Sequence, residues 1–334
     1  MMWREASGPT PRGVDRLVGE SASMRALRER IPRIAASPFA VVVEGEPGTG
    51  KELIARAIHE EGPRSRGAFV PVNCAVLGDD LFESEMFGHA RGAFTGALHE
   101  RKGLLALSSG GTVFLDEVAE LTPRAQAKLL RALQDGEVRR LGENRTERLD
   151  LRVVAATNRS LDDAVAAGRF RRDLLYRVEV VRVAAPPLRE RRSDIPRLTE
   201  HYWKDVAAAA GSRARLAPET VAALRAHPWP GNVRELQNVL ANLTLTAPRF
   251  GKVQPVHLPA AFRRPAPARL RTLAAAREDL ERSMVRDALE RHRSVPAAAG
   301  ELGLTRQGLS RMMARLEIDR ADPAREPPGG GRSR

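Results

Sequence analysis

The chain has 334 residues, 42% of them apolar, which is enough to bury cores in more than one domain and excludes wholesale disorder. Its net charge of +13, carried almost entirely by arginine, favours a polyanionic partner without naming one. A lone cysteine, Cys74, excludes a disulfide framework or a cysteine metal site, and there is neither a membrane-length apolar run nor a signal-peptide core, so a cytoplasmic protein is expected, with no membrane partner.

Residues 1–13 are punctuated by Pro and Gly and are expected to be disordered. From 14 to 186, short β-branched runs alternate with helical segments, the pattern of a parallel sheet with crossover helices. Strands are expected at 39–43, 68–72, 112–115, 152–156 and 178–183, with a hairpin at 138–149. The first, third and fourth are near-continuous apolar runs, as expected for strands covered on both faces. Directly after the first comes Gly45, Glu46, Pro47, Gly48, Thr49, Gly50 and Lys51, and then a helix predicted over 52–60. Between strand and helix this is a P-loop: backbone N–H groups turn toward phosphate oxygens, the helix N-terminus adds its dipole, and Lys51 reaches the outer phosphates. Glu52 stands where the general motif has a Mg²⁺-binding hydroxyl. About 65 residues further on, strand 112–115 ends in Asp116 and Glu117. A carboxylate at that strand tip can hold Mg²⁺, and its neighbour can polarise an attacking water. Between the two motifs lies Gly92, Ala93, Phe94, Thr95, Gly96 and Ala97, a Gly-bracketed loop with an aromatic at its tip.

After 186 the pattern turns helical, and 187–247 is expected to form a small α-helical lid. Residues 248–272 are Pro-rich and read as a linker, and 321–334 as a disordered tail. In 273–320, a helix with Leu280, Met284, Val285, Ala288 and Leu289 on one face, a core or a dimer seam, precedes a second helix over 296–302. A turn at Gly303 and a helix capped by Thr305 complete a helix-turn-helix, with Leu309, Met312, Met313 and Leu316 inward. Thr305, Arg306, Gln307, Ser310 and Arg311 are the positions expected at bases or phosphates. Gly308 weakens that helix by about 1 kcal/mol against Ala.

The loop at 92–97 resembles, letter for letter, the GAFTGA loop of sigma-54-dependent enhancer-binding proteins. The stretches at 72–75, 156–159, 170–177, 187–191 and 229–236 are similar to signatures of the same family, and Glu52 is itself a habit of it. The resemblance covers about 14–247 and 273–318. It implies an AAA+ αβα sandwich around a parallel sheet, an α-helical lid and an all-α Fis-like DNA-binding domain. It further implies ATP and Mg²⁺ as ligands, hydrolysis by Asp116 and Glu117, and a homo-oligomer between dimer and hexameric ring. Asn73 would hold Glu117 inactive, Asn158 would sense the γ-phosphate, and Arg234 would be a second sensor from the lid. Arg171 and Arg177 would reach the neighbouring subunit's nucleotide.

The function implied is activation of transcription: binding upstream DNA and using ATP hydrolysis to remodel the closed complex of sigma-54 RNA polymerase holoenzyme through residues 92–97. A nucleotide-gated repressor that ignores sigma-54 is the first rival, and the intact loop argues against it. An AAA+ helicase or clamp loader is the second, and it needs no Fis-like tail. About 13 residues precede the ATPase where family members usually carry a sensory module, which implies either a regulatory protein acting in trans or a truncation.

Overall fold

The computed structural model describes residues 12–75, 78–94, 97–263, 273–292, 294–316 and 318. Residues 1–11 and 319–334, Thr95 and Gly96 of the loop, and 264–272 of the expected linker lie outside them, whereas Gly13, expected to be disordered, opens a short 3-10 turn (Gly13–Arg16) and donates its N–H to Glu60 at 2.6 Å. The chain divides into two compact units, 1–266 and 267–334.

The first unit opens on α1 (Ala22–Ala36), whose N-cap Ser21 accepts the Met24 N–H, followed by β1 (Val41–Glu44) and α2 (Lys51–Glu60). Next are β2 (Phe69–Asn73), α3 (Asp79–Phe87), the short strands β3 (Gly88–His89) and β4 (Arg101–Lys102), and the single turn α4 (Leu104–Leu107). Then come β5 (Thr112–Asp116), α5 (Pro123–Asp135), the hairpin β6 (Glu137–Arg139) and β7 (Thr146–Arg148), and β8 (Arg152–Thr157). α6 (Leu161–Ala166), α7 (Arg172–Val178) and β9 (Val181–Ala184) close the sheet region.

Five strands form one parallel sheet in the order β2-β5-β8-β1-β9. Alternate side chains feed two cores. Val42, Val113, Leu115, Val153 and Ala155 face the cluster built with α3 to α7. Val41, Val43, Phe114, Val154 and Ala156 face the cluster built with α1 and α2. A sheet covered on both sides explains why its central strands are apolar without alternation, and the αβα sandwich expected from the sequence is the observed architecture. The chain leaves β1 for the far edge at β2 and later crosses to β9 on the other side. The C-terminal end of β1 is therefore a topological switch point, where open α/β sheets hold their ligands.

The lid comprises α8 (Ile195–Ala209), β10 (Arg215–Leu216), α9 (Pro218–Ala226), α10 (Asn232–Thr246), β11 (Lys252–Val253) and α11 (Ala260–Arg263). Two expectations need correction here. The lid is not purely helical, because β10 and β11 pair in parallel. Nor does a linker begin at 248. Val253 and Leu258 are fully buried in the lid core, and Phe262 stacks on His227 with ring centroids 4.2 Å apart. Of the prolines that suggested a linker, Pro255 opens a single turn (Pro255–His257) after β11 and Pro259 precedes α11.

The second unit contains α12 (Leu273–Arg291), α13 (Val295–Glu301) and α14 (Arg306–Arg315). Val285, Ala288, Ala298, Ala299, Leu309 and Leu316 form its core, with Leu289, Met312 and Met313 packed alongside. Leu280 and Met284 are 62% and 51% exposed, so they lie outside that core although they share its helical stripe.

Candidate functional site

The loop at 45–51 leaves the C-terminal end of β1 and closes on the N-terminus of α2, with Gly48 and Gly50 at φ +78° and +98°. Gly48 is required by space as well as by φ, since a Cβ there would lie 2.4 Å from the Gly231 carbonyl oxygen. Thr49 donates its hydroxyl to the Glu46 carbonyl at 2.8 Å, which tightens the turn. The helix begins at Lys51, one residue earlier than predicted, and so Lys51 is drawn into the buried base of the loop. Its Nζ donates to the Gly45 carbonyl at 3.0 Å and lies 3.3 Å from Glu117 Oε1. Glu52 points away and pairs with Arg56 on the exposed side of α2.

Asp116 ends β5 and Glu117 follows it, beside this loop. Glu117 has φ +52°, an uncommon conformation for a residue with a Cβ. Its carboxylate bridges Lys51 and the backbone N–H of Asn158, which lies 3.2 Å from Oε2. Burial, and next the charge of Glu117, push the Asp116 carboxyl above the ordinary carboxylate range. Two adjacent carboxylates facing one lysine leave surplus negative charge, and an all-oxygen donor set suits a hard divalent cation. Among the described residues no cluster of three or more His, Cys, Asp or Glu could hold a metal. A Mg²⁺ ion here therefore fits only as one shared with phosphate oxygens. Asn73 Oδ1 accepts the Ala75 N–H at 2.9 Å, while the Glu117 carboxylate is held by Lys51 and the Asn158 N–H. Neighbouring Cys74 is buried, its thiol pushed up to about 12 chiefly by that burial, and is inert.

The lid meets the phosphate loop along a joint of which the sequence points only to Arg234. Asn232 is fully buried and hydrogen-bonds Glu46 and the Pro47 carbonyl. Arg189 pairs with Glu46 at 2.7 Å, and with Asn232 it holds the Glu46 carboxyl below its usual range. Buried Arg191 donates to the Thr49 carbonyl at 3.1 Å. Asp194 accepts the Glu20 and Ser21 N–H groups, which secures the segment before α1. Arg234 sits in the first turn of α10, its Cβ 3.0 Å from where a Cβ on Gly48 would be. An apolar recess bounded by Leu17, Val18, Leu53, Leu198, Tyr202 and Val233 opens beside Thr49 and Gly50. The stretches around 187–191 and 229–236 carried the signal for this joint, but nothing in their composition says that an Asn reaches across to the phosphate loop.

Arg171 and Arg177 flank and occupy α7. Arg171 forms a two-point pair with Asp173 (3.0 and 2.7 Å), and Arg177 donates to the Leu133 carbonyl at the end of α5 (2.9 and 2.5 Å). These bonds leave both guanidinium groups engaged away from their own chain's phosphate loop.

Residues 92–97 lie within the connection from β3 to β4. The Gly92 N–H donates to the Ala97 carbonyl (2.9 Å) and the Ala97 N–H to the Phe94 carbonyl (3.0 Å), which pinches the loop at its base. Phe94 is 46% exposed, its inner edge against the His89 ring at 5.0 Å. His89 Nδ1 shares a 2.8 Å hydrogen bond with Ser84 of α3. The β6–β7 hairpin braces the same base, since the Ala90 N–H donates to the Leu141 carbonyl and the Leu141 N–H to the Gly88 carbonyl, both at 2.9 Å.

In the second unit Thr305 caps α14 by accepting the Gly308 N–H at 3.1 Å. Gly308 is thus in the capped first turn rather than the helix interior. Thr305, Arg306, Gln307, Ser310 and Arg311 are all exposed on this helix, as a DNA-reading face requires.

Comparison with known proteins fits this anatomy. Residues 17–184 match the sigma-54 interaction domain, 189–274 the AAA+ ATPase lid domain, and 276–316 the Fis family of bacterial regulatory proteins. The chain is 45% identical over 314 residues to the response regulator protein PilR of Pseudomonas aeruginosa, across 91% of this chain and 70% of PilR. It is 49% identical over 228 residues to the Nif-specific regulatory protein of Klebsiella pneumoniae, across 68% of this chain and 44% of that one. The crystal structure of NtrX from Brucella abortus in complex with ATP aligns with a TM-score of 0.68 at 34% identity, across 90% of this chain and 69% of NtrX. With the sigma-54 interaction domain matched over half its length, this chain belongs to the family of sigma-54-dependent transcriptional activators of the AAA+ class.

Proposed function

We propose that the chain binds ATP at residues 45–51, hydrolyses it, and uses the cycle to drive residues 92–97 against sigma-54, remodelling the closed complex of the holoenzyme. The observation that carries this reading is the pairing of two assemblies in one unit. Lys51, Glu117 and the Asn158 N–H converge at the switch point, and a pinched loop displays Phe94. Glu117 accepts a proton from the attacking water as Lys51 and the loop N–H groups hold the phosphates. Mg²⁺ supplies charge neutralisation when bound, held by Asp116 together with the nucleotide. Asn73 withdraws Glu117 when the site is idle, which requires its side chain to leave Ala75. Asn158 reports on the γ-phosphate because its backbone already touches Glu117. Arg171 and Arg177 act in a neighbouring subunit of a ring, released from Asp173 and Leu133. ATP bound to the relative NtrX supports the nucleotide assignment.

The second unit binds upstream DNA through Thr305, Arg306, Gln307, Ser310 and Arg311, raising the local concentration of the ATPase near the promoter. In vitro transcription with sigma-54 and sigma-70 holoenzymes on matched templates tests the whole reading. ATP-dependent open complexes are expected with sigma-54 alone. Repression or activation confined to sigma-70 overturns it.

A further inference from the structure

The joint between phosphate loop and lid holds a side chain whose polar atoms are all committed. Asn232 is fully buried and has φ +53°, a left-handed conformation that Asn tolerates better than most residues. Its Oδ1 accepts the Leu188 N–H at 2.7 Å. Its Nδ2 donates to Glu46 Oε2 and to the Pro47 carbonyl, both at 3.1 Å. Beside it, the Val233 N–H donates to the Gly48 carbonyl at 3.0 Å. One amide therefore joins the phosphate loop, the turn at 188–190 and the start of the helix that carries Arg234. The surroundings offer one donor and two acceptors, and the complement, one acceptor with two donors, is what a short carboxamide supplies.

We propose that Asn232 is a positioning residue for nucleotide: it fixes the peptide planes of 46–48 and the approach of Arg234, so that lid and phosphate loop respond to ATP as one body. This rests on the ATP-binding reading above. An aspartate at 232 keeps the acceptor toward Leu188 but sets a carboxylate against that of Glu46. Such a like-charge pair binds one proton far more tightly than either acid alone. Arg189, already paired with Glu46 at 2.7 Å, is the other charge facing the pair.

The test uses the full chain, binding of a fluorescent N-methylanthraniloyl ATP, and steady-state hydrolysis from about pH 6 to about pH 8.5. At the upper end Asn232→Asp is expected to weaken probe binding by about tenfold or more, with KM rising more than kcat falls. Affinity should return as pH falls, because the protonated acid donates where the amide did. Combining Asn232→Asp with Glu46→Gln should restore most of the affinity at high pH, since the new amide can donate to the new carboxylate. Asn232→Gly accepts φ +53° without strain and deletes all three bonds, so it should lose affinity at every pH. It keeps the test alive if the aspartate variant does not fold. Parent-like binding by Asn232→Asp and Asn232→Gly overturns the proposal. So does a pH-independent loss that Glu46→Gln does not repair, which would mark a merely structural role. A parent chain that fails to bind the probe removes the ATP reading itself and this proposal with it.

Discussion

Glu117 shows how a single residue can be legible in chemistry and illegible in conformation. Its place after an apolar strand and beside Asp116 predicts a water-polarising role, but no sequence pattern announces φ +52° or the grip of the Asn158 N–H. Those follow from where β8 ends relative to β5, a tertiary fact. Glu117→Gln retains shape and loses charge, so it should bind nucleotide like the parent while turnover falls by about two to four orders of magnitude. Equilibrium binding beside a phosphate-release assay checks this, and release near the parent rate would falsify the role. Mixing that variant with Arg171→Ala should restore part of the rate if finger and carboxylate come from different subunits. A second prediction concerns His59, buried on α2 with Nδ1 2.9 Å from Thr112 Oγ1. Burial, aided by Arg152 and Arg56 against the charge of Glu60, lowers its pKa below 6.5. The folded state thus prefers neutral imidazole, and its stabilisation is complete above pH 6.5 and lost as pH falls through the depressed folded value. The melting temperature should therefore drop between about pH 7.5 and about pH 5.5, and His59→Gln should flatten the drop. Some slope remains from His227, whose pKa burial lowers in the same sense. An unchanged slope in His59→Gln would remove His59 from the account.

At the scale of elements, the sheet could be read from sequence because its central strands are buried on both faces and apolar over most of their length. Short pieces could not. β3, β4, β10 and β11 have two residues each, too few for any periodicity to register. Their partners decide them, and the Lys252–Val253 pairing with Arg215–Leu216 converts an expected linker into lid. The same holds for the support of the 92–97 loop. Gly142, at the β6–β7 turn, has φ +76°, and a Cβ there would lie 2.8 Å from the Ala93 Cβ. Gly142→Val adds both backbone strain and a collision with the loop base. Because a side chain at 142 meets Ala93 and no residue of the phosphate loop, ATPase activity should stay within about twofold while sigma-54 capture with a transition-state analogue is lost. Pull-down of sigma-54 and phosphate release on one preparation decide it. Joint loss of both activities, with a lowered melting temperature, would mean that the hairpin supports the fold and not the loop.

The proposed ATPase and the proposed DNA-reading helix lie in different units, and the position of the boundary between them yields the last prediction. The sequence placed the end of the lid at 247 because helical periodicity stops and prolines begin. In the structure, burial rather than periodicity marks the end. Val253 and Leu258 are fully buried, and the Phe262 ring lies against both His227 and Trp229, the latter at 5.2 Å. A chain ending at 266 keeps all of these contacts, whereas one ending at 250 exposes the underside of α9 and α10 and removes the partner of β10. Since α10 also carries Asn232 and Arg234, damage to the lid reaches the phosphate loop. The 1–266 chain should thus hydrolyse ATP and support sigma-54 transcription at high concentration, but lose footprinting at the upstream site, because α14 is gone. The 1–250 chain should melt at lower temperature and bind nucleotide poorly. Deletion of two buried aliphatic side chains and a stacked aromatic costs several kcal/mol, on the order of the stability of a small lid. Thermal melts, nucleotide binding and footprinting on the two truncations separate the cases. Equal nucleotide affinity in both would show that 251–266 is dispensable to the lid, and an unchanged footprint from 1–266 would place DNA recognition outside the helix-turn-helix.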